Sequence, residues 1–283
     1  MTKDRPTTTL PWTAEPALPT LEAGESAVAR SGFAFVTSDA MRPMLERHGS
    51  LSDWAAFAAS WDDLEIDGYM ADGGRYRRRR HAVYSVAAGG EIQRAPHQAH
   101  YQDRAYNALN GGVARWFAPI AEEIGAGPSL NTILAFCDAL FGELSAAIGA
   151  WHVEVHQLRI EARPDAAGLP TPEGVHRDGV DYVLVLLIAR RNIVSGTTTI
   201  HDADGRLLGA FTLTAPFDAA LVHDARVYHG VTAVEPLDRS TTAHRDVLVV
   251  TFRSEPRAGS SPGPCARPSS GRRGPGCPSG ATS

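Results

Sequence analysis

The sequence predicts an α+β protein with a double-stranded β-helix core, of the jelly-roll or cupin-like type, and helices packed against it. Two observations carry this prediction. Apolar residues follow a helical period over much of the chain before residue 150, and short alternating strands with polar or Gly/Pro breaks follow after it. Many short strands within about a hundred residues are typical of a sandwich or jelly-roll barrel. We therefore expect one domain over 26–253, largely helical at 38–150 and jelly-roll at 151–253.

Apolar residues at helical spacing predict three helices in the first part of this domain. The first begins after Asp53, the second covers 113–124, and the third, which has the longest apolar stripe, runs over 129–149. We expect their aromatic and aliphatic stripes to be core.

The second part changes to the period of strands. Alternation and chain breaks predict strands at 151–162, 180–189, 196–201, 207–214, 218–223, 227–234 and 245–253.

The two ends of the chain differ in composition from the rest. Residues 1–25 are rich in Pro, Thr and Ala, and we expect them to be loosely held. In 254–283, 19 of the 30 residues are Gly, Pro or Ser, and no large aliphatic or aromatic residue occurs. Such a segment has nothing to bury against its ordering entropy, so we expect a disordered tail.

Bulk properties argue against several classes of function. The formal net charge of −5 disfavours nucleic-acid binding, which requires a basic face. Three cysteines make no disulfide framework, and no apolar run reaches the roughly 18–20 residues of a membrane span. The first residues lack an apolar segment of signal-peptide type. We expect a cytoplasmic protein without nucleic-acid or membrane partners; the composition makes no prediction of its oligomeric state.

The strongest functional signal is a possible metal site formed by His176, Asp178 and His229. Residues two apart on a strand project from one face, so His176 and Asp178 can converge, and a third ligand can come from a neighbouring strand. Two histidines and one carboxylate on one side of a metal leave open positions, as in non-haem Fe(II) oxygenases. Three other histidines of the second part compete for the place of His229: His201, His223 and His244.

Arg245 fits the co-substrate of such a centre. A ferrous site that activates O₂ needs two further electrons, which oxidative decarboxylation of 2-oxoglutarate supplies. The distal carboxylate of that molecule needs a charged partner inside the barrel, and a guanidinium can bind it bidentately. Arg245 opens the last core strand. Arg239 and Arg253 are weaker candidates, because one lies in a predicted turn and the other about 26 Å further along an extended strand.

Several stretches resemble a known family. They include Pro172-Glu-Gly-Val-His-Arg-Asp-Gly179, together with 60–70, 74–80, 107–115, 155–160, 227–231 and 245–252. The chain resembles, over roughly 30–253, the bacterial Fe(II)/2-oxoglutarate-dependent dioxygenases of the L-isoleucine hydroxylase type, which act on free aliphatic L-amino acids. The resemblance implies a jelly-roll fold, iron held by His176, Asp178 and His229, and 2-oxoglutarate held by Arg245.

The same resemblance implies an activity and its requirements. We expect an enzyme that uses Fe(II), 2-oxoglutarate and O₂, with ascorbate helpful in vitro, to hydroxylate an aliphatic C–H of a small L-amino acid such as isoleucine, leucine or methionine. Succinate and CO₂ are released. Arg177 departs from the uncharged polar residue expected between the ligands, and should point outward.

Two further features leave alternatives open. Alternate arginines of the run 75–80 are expected to pair with nearby acidic residues, with one or two reaching the site to bind a substrate carboxylate. Gln157 and Arg159 are candidates for the pocket wall, although barrel interior fits Gln157 equally well. The competing function is a cupin-like metal-binding sensor or isomerase, for which a buried Arg245 has no evident purpose.

Overall fold

Helices gather mainly in the first half of the molecule. The computed structural model describes residues 20–87 and 90–255. Its helices are α1 (Leu21–Ser31), α2 (Ser38–Glu46), α3 (Trp54–Ala59), α4 (Glu122–Gly125) and α5 (Pro128–Leu144), with a 3-10 helix at Ser60–Asp63 after α3.

Thirteen strands are present in the described residues. In chain order they are β1 (Phe33–Val36), β2 (Glu65–Ile66), β3 (Arg77–Ala87), β4 (Ile92–Arg94), β5 (Ala150–Ala162), β6 (Tyr182–Arg191), β7 (Ile193–Ser195), β8 (Thr198–His201), β9 (Leu207–Phe211), β10 (Ala219–His223), β11 (Tyr228–Val231), β12 (Val234–Pro236) and β13 (Ala243–Ser254).

The strands form one large sheet and two small ones. The main sheet has the order β1-β10-β6-β13-β5-β3-β2, with β4 beside β3, and every pair is antiparallel. A second sheet has the order β11-β8-β9, and β12 pairs with β7. Neighbours in the main sheet are mostly distant in sequence, as in a jelly roll.

The period-two alternation of the strands separates two cores. On β6, Leu184 and Leu186 pack with the helices in one cluster, whereas Val183 and Leu187 pack with residues of the second sheet in another. Successive strand residues face opposite sides of the sheet, so the main sheet is covered by helices on one face. Its other face is turned toward the second sheet. The α+β jelly-roll prediction is confirmed.

The seven strands predicted for the second part are present, but 227–234 divides into β11 and β12, and β7 was not predicted. The helical interpretation of 38–150 is wrong between the 3-10 helix and α4. This region contains β2, β3 and β4, and β3 pairs with β5 over eleven positions. The predicted helix at 113–124 reduces to Glu122–Gly125, with Val113 and Trp116 exposed. Pro119 lies within that stretch and removes a backbone donor, which disfavours a helix.

The ends of the chain bring smaller corrections. The expectation of a loose segment over 1–25 is wrong for its last residues, since α1 starts at Leu21 with Thr20 as its N-cap. Residues 1–19 and the predicted tail beyond 255 lie outside the described residues. Within the described ranges, no helix has the length and apolarity needed to cross a membrane.

Candidate active site

A cavity of about 340 Å³ lies between the main sheet and the second sheet. Its walls combine branched aliphatic side chains with polar and charged ones. The polar and charged residues that line it include Arg79, Gln102, Arg115, Glu154, His156, Glu173, His176, Asp178, His229 and Arg245.

The structure brings His176, Asp178 and His229 together on one wall of this cavity. The backbones of His176 and His229 exchange two hydrogen bonds, of 2.8 and 2.9 Å, which fixes the loop before β6 against β11. The Nε2 atom of His176 lies 3.5 Å from Asp178 Oδ1, and the Nε2 atom of His229 lies 3.5 Å from Asp178 Oδ2. The three side chains thus converge with separations longer than good hydrogen bonds.

The orientation of both imidazoles leaves Nε2 free to bind a metal. His176 Nδ1 lies 3.0 Å from the carbonyl oxygen of Gly174, which can only accept, so Nδ1 carries the proton. His229 Nδ1 faces Asp224 Oδ1 at 3.8 Å. Metal-binding histidines commonly donate their other nitrogen to a carbonyl or carboxylate, as His176 does here, whereas the contact of His229 with Asp224 is longer than a hydrogen bond.

Asp224 also holds the loop that carries Asp178. Its carboxylate accepts the backbone N–H groups of Asp178, Gly179 and Val180 at 2.9, 2.8 and 3.2 Å. Gly179 has a φ of 81°, a conformation that glycine adopts without strain. The side chain of Asp178 is thereby aimed at the two histidines.

The electrostatics of these residues favour a cation. Burial alone would lower the pKa of His176, but the hydrogen bond and charge of Asp178 raise it to about 9. Burial lowers the pKa of His229 to about 4. Burial and the charge of Asp178 raise the pKa of Asp224 to about 7. A divalent ion would take the place of the proton that Asp178 holds on His176 Nε2, and the donor set of two nitrogens and one carboxylate fits Fe(II).

Arg245 lies in the same cavity, on β13. It is 2% exposed, and its Nε and Nη2 atoms have no hydrogen-bond partner among the described residues. Burial, followed by the neighbouring charge of Arg190, lowers its pKa to about 10. A buried guanidinium with unpartnered donors is costly unless an anion binds there. Arg245 therefore fits a carboxylate ligand.

A second cluster of histidines surrounds Glu154 on the wall formed by β3 and β5. Glu154 Oε2 lies 3.1 Å from His81 Nε2 and 3.4 Å from His156 Nε2, and it also contacts His100 Nδ1. Glu154 Oε1 lies 3.3 Å from His152 Nε2. Burial would raise the pKa of Glu154, but the hydrogen bonds from these imidazoles hold it far below its ordinary value.

Although this cluster has donors at metal-binding spacing, its protonation pattern favours a hydrogen-bonded carboxylate. Arg79 Nη2 donates to His156 Nδ1 at 2.7 Å, and a guanidinium only donates. His156 therefore carries its proton on Nε2, which lies 3.4 Å from Glu154 Oε2. The charge of Arg79, against the same ring, also opposes a cation.

The arginine run of β3 divides by strand parity, as predicted. Arg77 and Arg79 are buried and line the cavity, with Arg77 Nη2 2.7 Å from Asp67 Oδ2. Arg78 faces the other side and pairs with Glu161 at 2.6 Å, and Arg80 pairs with Asp63 at 2.9 Å.

The two pocket candidates on β5 do not line the cavity, and that expectation is wrong. Gln157 donates to Ser60 Oγ, and Arg159 pairs with Asp246 and Asp62. The opposite parity, which includes His156, faces the cavity.

The other candidates lie away from the three converging residues. His201 contacts Gly205, and the ring of His223 packs against that of Tyr182 at a tilt of 38°. His244 lies 3.6 Å from Asp246. Arg239 is exposed, and Arg253 is an exposed residue at the rim. Arg177 points outward, with its guanidinium over Tyr228 at 4.8 Å.

Sequence reasoning missed most of the remaining polar wall. His152, Glu154 and His156 share one strand face, and this parity was a usable signal. Gln102, Arg115 and Asp224 come from irregular segments, where no period reveals direction. The tertiary structure places Gln102 and Arg115 on the cavity wall and Asp224 behind Asp178.

Comparison with known proteins identifies relatives of the chain. The protein-family model described as 2OG-Fe dioxygenase matches residues 58–251. The 3(1)-hydroxy-L-isoleucine 4-dioxygenase of Pantoea ananatis (strain AJ13355) is 24% identical over 236 residues, which cover 80% of this chain and 93% of that protein.

Solved structures show the same fold. A bsmA homolog from Methylobium petroleophilum PM1 has a TM-score of 0.76 and 36% identity, covering 83% of this chain and 93% of its own. IDO from Bacillus thuringiensis has a TM-score of 0.69 and 20% identity, covering 83% of this chain and all of its own (100%).

Proposed function

This chain belongs to the 2OG-Fe dioxygenase family, and on that premise we propose that it hydroxylates an aliphatic C–H of a small L-amino acid resembling isoleucine, leucine or methionine. The enzyme uses Fe(II), 2-oxoglutarate and O₂, and the reaction releases succinate and CO₂. The amino-acid substrate is supported by the relative whose name specifies an L-isoleucine derivative. The alternative of a cupin-like sensor or isomerase lacks such support.

The observation that carries the proposal is one cavity shared by a metal-binding set and an unpartnered buried cation. We assign His176, Asp178 and His229 as the iron ligands, supported by their convergence and by the free Nε2 atoms. Bound iron with 2-oxoglutarate and O₂ supplies the oxidant for the C–H bond. Asp224 orients His229 and the Asp178 loop from behind.

Arg245 is proposed to bind the distal carboxylate of 2-oxoglutarate. Its unpartnered Nε and Nη2 atoms support this role. The aliphatic side chains near it, Ile160 opposite on β5 and Val247 on β13, exclude water and strengthen the charge pair. This arrangement orients the co-substrate toward the iron, which is the part that the protein itself contributes to catalysis.

Two wider proposals follow from the fold. Residues 26–253 are proposed to act as one domain, because the main sheet joins β1 to β10 and β13 to β5. The cytoplasm is proposed as its location, since ferrous iron and the free thiol of buried Cys137 both suit a reducing compartment.

A succinate assay tests the activity. The purified protein, supplied with Fe(II), ascorbate and 2-oxoglutarate, is offered each of the twenty amino acids in turn. We expect succinate release with aliphatic L-amino acids. Release that stays at the level without amino acid for the whole panel contradicts the amino-acid form of the proposal.

The role of Arg245 is tested with a variant pair. Arg245→Ala is expected to raise the KM for 2-oxoglutarate by about 100-fold, because a buried charge pair loses one partner. Arg253→Ala is the control, since Arg253 lies on the same strand but is exposed. An unchanged KM in Arg245→Ala contradicts the assignment.

A further inference from the structure

The cavity has a second cationic region besides Arg245, formed by Arg79 and Arg115. These residues are 7% and 2% exposed, and both line the cavity. Their guanidinium carbons lie 3.8 and 5.8 Å from the ring centroid of Phe117. The Nε atom of each has no partner among the described residues. Asp67 Oδ2 lies 3.6 Å from Arg79 Nη1, but burial and the charge of Arg77 still lower the pKa of Arg79 to about 9, so an anion at the unpartnered Nε atoms would relieve an electrostatic cost.

This region is separate from the site assigned to 2-oxoglutarate. Arg245 on β13 lies opposite Ile160 on β5, and Ile160 lies opposite Arg77 on β3. Two strand spacings therefore separate the backbone of Arg245 from that of the buried arginines of β3, which is about 10 Å. One five-carbon dicarboxylate held at Arg245 and at the metal leaves the second region for another anion.

Both arginines are held by partners that fix their direction. Arg79 donates to His156 Nδ1 at 2.7 Å, and the Nε2 atom of the same ring lies 3.4 Å from Glu154 Oε2, which favours the tautomer that accepts at Nδ1. Arg115 Nη2 lies 3.4 Å from Gln102 Oε1, and Gln102 Nε2 donates to the carbonyl oxygen of Asp178 at 3.1 Å. One residue therefore links Arg115 to a proposed iron ligand.

Glu173 supplies the opposite charge across the same cavity. Its side chain is 10% exposed, and its Oε2 atom has no partner among the described residues. Its Oε1 atom lies 3.4 Å from His176 Nε2, which places it beside the metal set. The charge of Glu173 reaches Arg115, but no direct ion pair joins them in the described structure.

We propose that Arg79 and Arg115 bind the α-carboxylate of the substrate and that Glu173 binds its α-ammonium group. This inference rests on the proposed function and deepens it. Glu154 does not serve as the ammonium partner, because a carboxylate has about four acceptor sites and four imidazoles already use them. The site thus selects a molecule with both groups free and adjacent to the iron.

Binding of substrate analogues tests the inference without requiring turnover. Calorimetry is done anaerobically on the protein loaded with Fe(II) and 2-oxoglutarate. The probes are L-isoleucine, L-leucine and L-methionine, each compared with its amide, which lacks the carboxylate, and with its 2-hydroxy acid, which lacks the ammonium group. We expect each amide and each hydroxy acid to bind at least about 30-fold more weakly than the amino acid.

Variants assign the two charges to residues. In Arg115→Met, the amino acid should bind no more than about threefold more tightly than its amide. In Glu173→Gln, the amino acid should bind no more than about threefold more tightly than its 2-hydroxy acid. The KM for 2-oxoglutarate and the iron content should not change. Arg78→Met is the control, because Arg78 lies on the strand of Arg79 but on its other face.

The outcomes separate this inference from the proposed function. If amino acids bind preferentially but no succinate is released, the substrate site is supported and the proposed activity is contradicted. Equal binding of acid, amide and hydroxy acid by the unmodified protein, or no binding of any of them, overturns the site even if a variant fails to fold. A loss of iron from Glu173→Gln overturns the ammonium role and makes Glu173 part of the metal centre.

Discussion

Two groups of histidines and a carboxylate line the same cavity, yet they differ in what their outer nitrogens contact. In the group of His176, Asp178 and His229, the nitrogens away from the centre face oxygen atoms of Gly174 and Asp224. In the group around Glu154, the outer nitrogen of His156 faces Arg79. An outer nitrogen that donates to an oxygen atom carries the proton, so the inner nitrogen keeps a lone pair for a metal. An outer nitrogen that accepts from a guanidinium carries no proton, so the inner nitrogen has the N–H group and faces the carboxylate with it.

Residue type and spacing therefore do not by themselves define a metal site. Both groups contain donors within 4.8 Å of one another. The partner behind His176 and the partner behind His156 set opposite tautomers, and the tautomer determines whether the inner nitrogen can bind a metal or donates a hydrogen bond. The first group thereby suits iron, and the second fixes the direction of Arg79.

The largest effect is expected when the same substitution is made in both groups. His176→Asn retains a donor near the Gly174 carbonyl but removes Nε2, so iron binding and succinate release should fall to background. His100→Asn retains the donor to Glu154, and we expect iron content to stay at one per chain. Iron content is measured by metal analysis after desalting. Two irons per chain in the unmodified protein, falling to one in His100→Asn, would show that the group around Glu154 also binds iron.

Glu154→Gln tests the second group as a structural network. One oxygen of the carboxylate becomes an NH₂ group that faces imidazole donors, so we expect a loss of about 3 kcal/mol of unfolding free energy. Urea denaturation should show a lower midpoint with an unchanged slope. Iron content should remain at one per chain. A loss of iron together with normal stability would contradict the hydrogen-bonding role.

Asp224→Asn tests the support behind the first group. The amide offers an NH₂ group where the carboxylate accepts backbone N–H groups of Asp178 and Gly179. We expect the affinity for Fe(II) to fall about 10–100-fold, the range found when a partner behind a metal ligand is lost. Competition with a chelator measures it. An affinity for Fe(II) within twofold of that of the unmodified protein would contradict the supporting role of Asp224.

The smallest effect is a pH dependence of stability. Burial lowers the pKa of His81 and His100 below the ordinary value, against the raising effect of Glu154. The unfolded chain therefore binds more protons as the pH falls below about 6.5, so unfolding free energy should decrease there. His100→Asn should flatten this decrease between pH 7 and pH 5.5 in urea denaturation. An identical slope in both proteins would contradict the shift.

The sequence predicted those parts of the fold and site that follow a regular period. Most strands from β5 to β13 lie at their predicted positions because alternation on a half-buried strand is local information, whereas β7 was not predicted. The parity of the arginine run likewise separated Arg77 and Arg79 from Arg78 and Arg80. The helix predicted around Val113 failed because apolar spacing cannot tell a core stripe from exposed side chains in an irregular segment.

By itself, the sequence determined the jelly-roll pattern, the His-x-Asp pair and a cationic residue at the start of the last strand. Only the tertiary structure decided that Glu154 gathers four imidazoles, that Arg79 sets the tautomer of His156, and that Gln102, Arg115 and Glu173 reach the cavity. The reason is physical. Alternation along a strand is set by its own backbone, whereas protonation and charge pairing depend on which distant side chains the fold brings within hydrogen-bond distance.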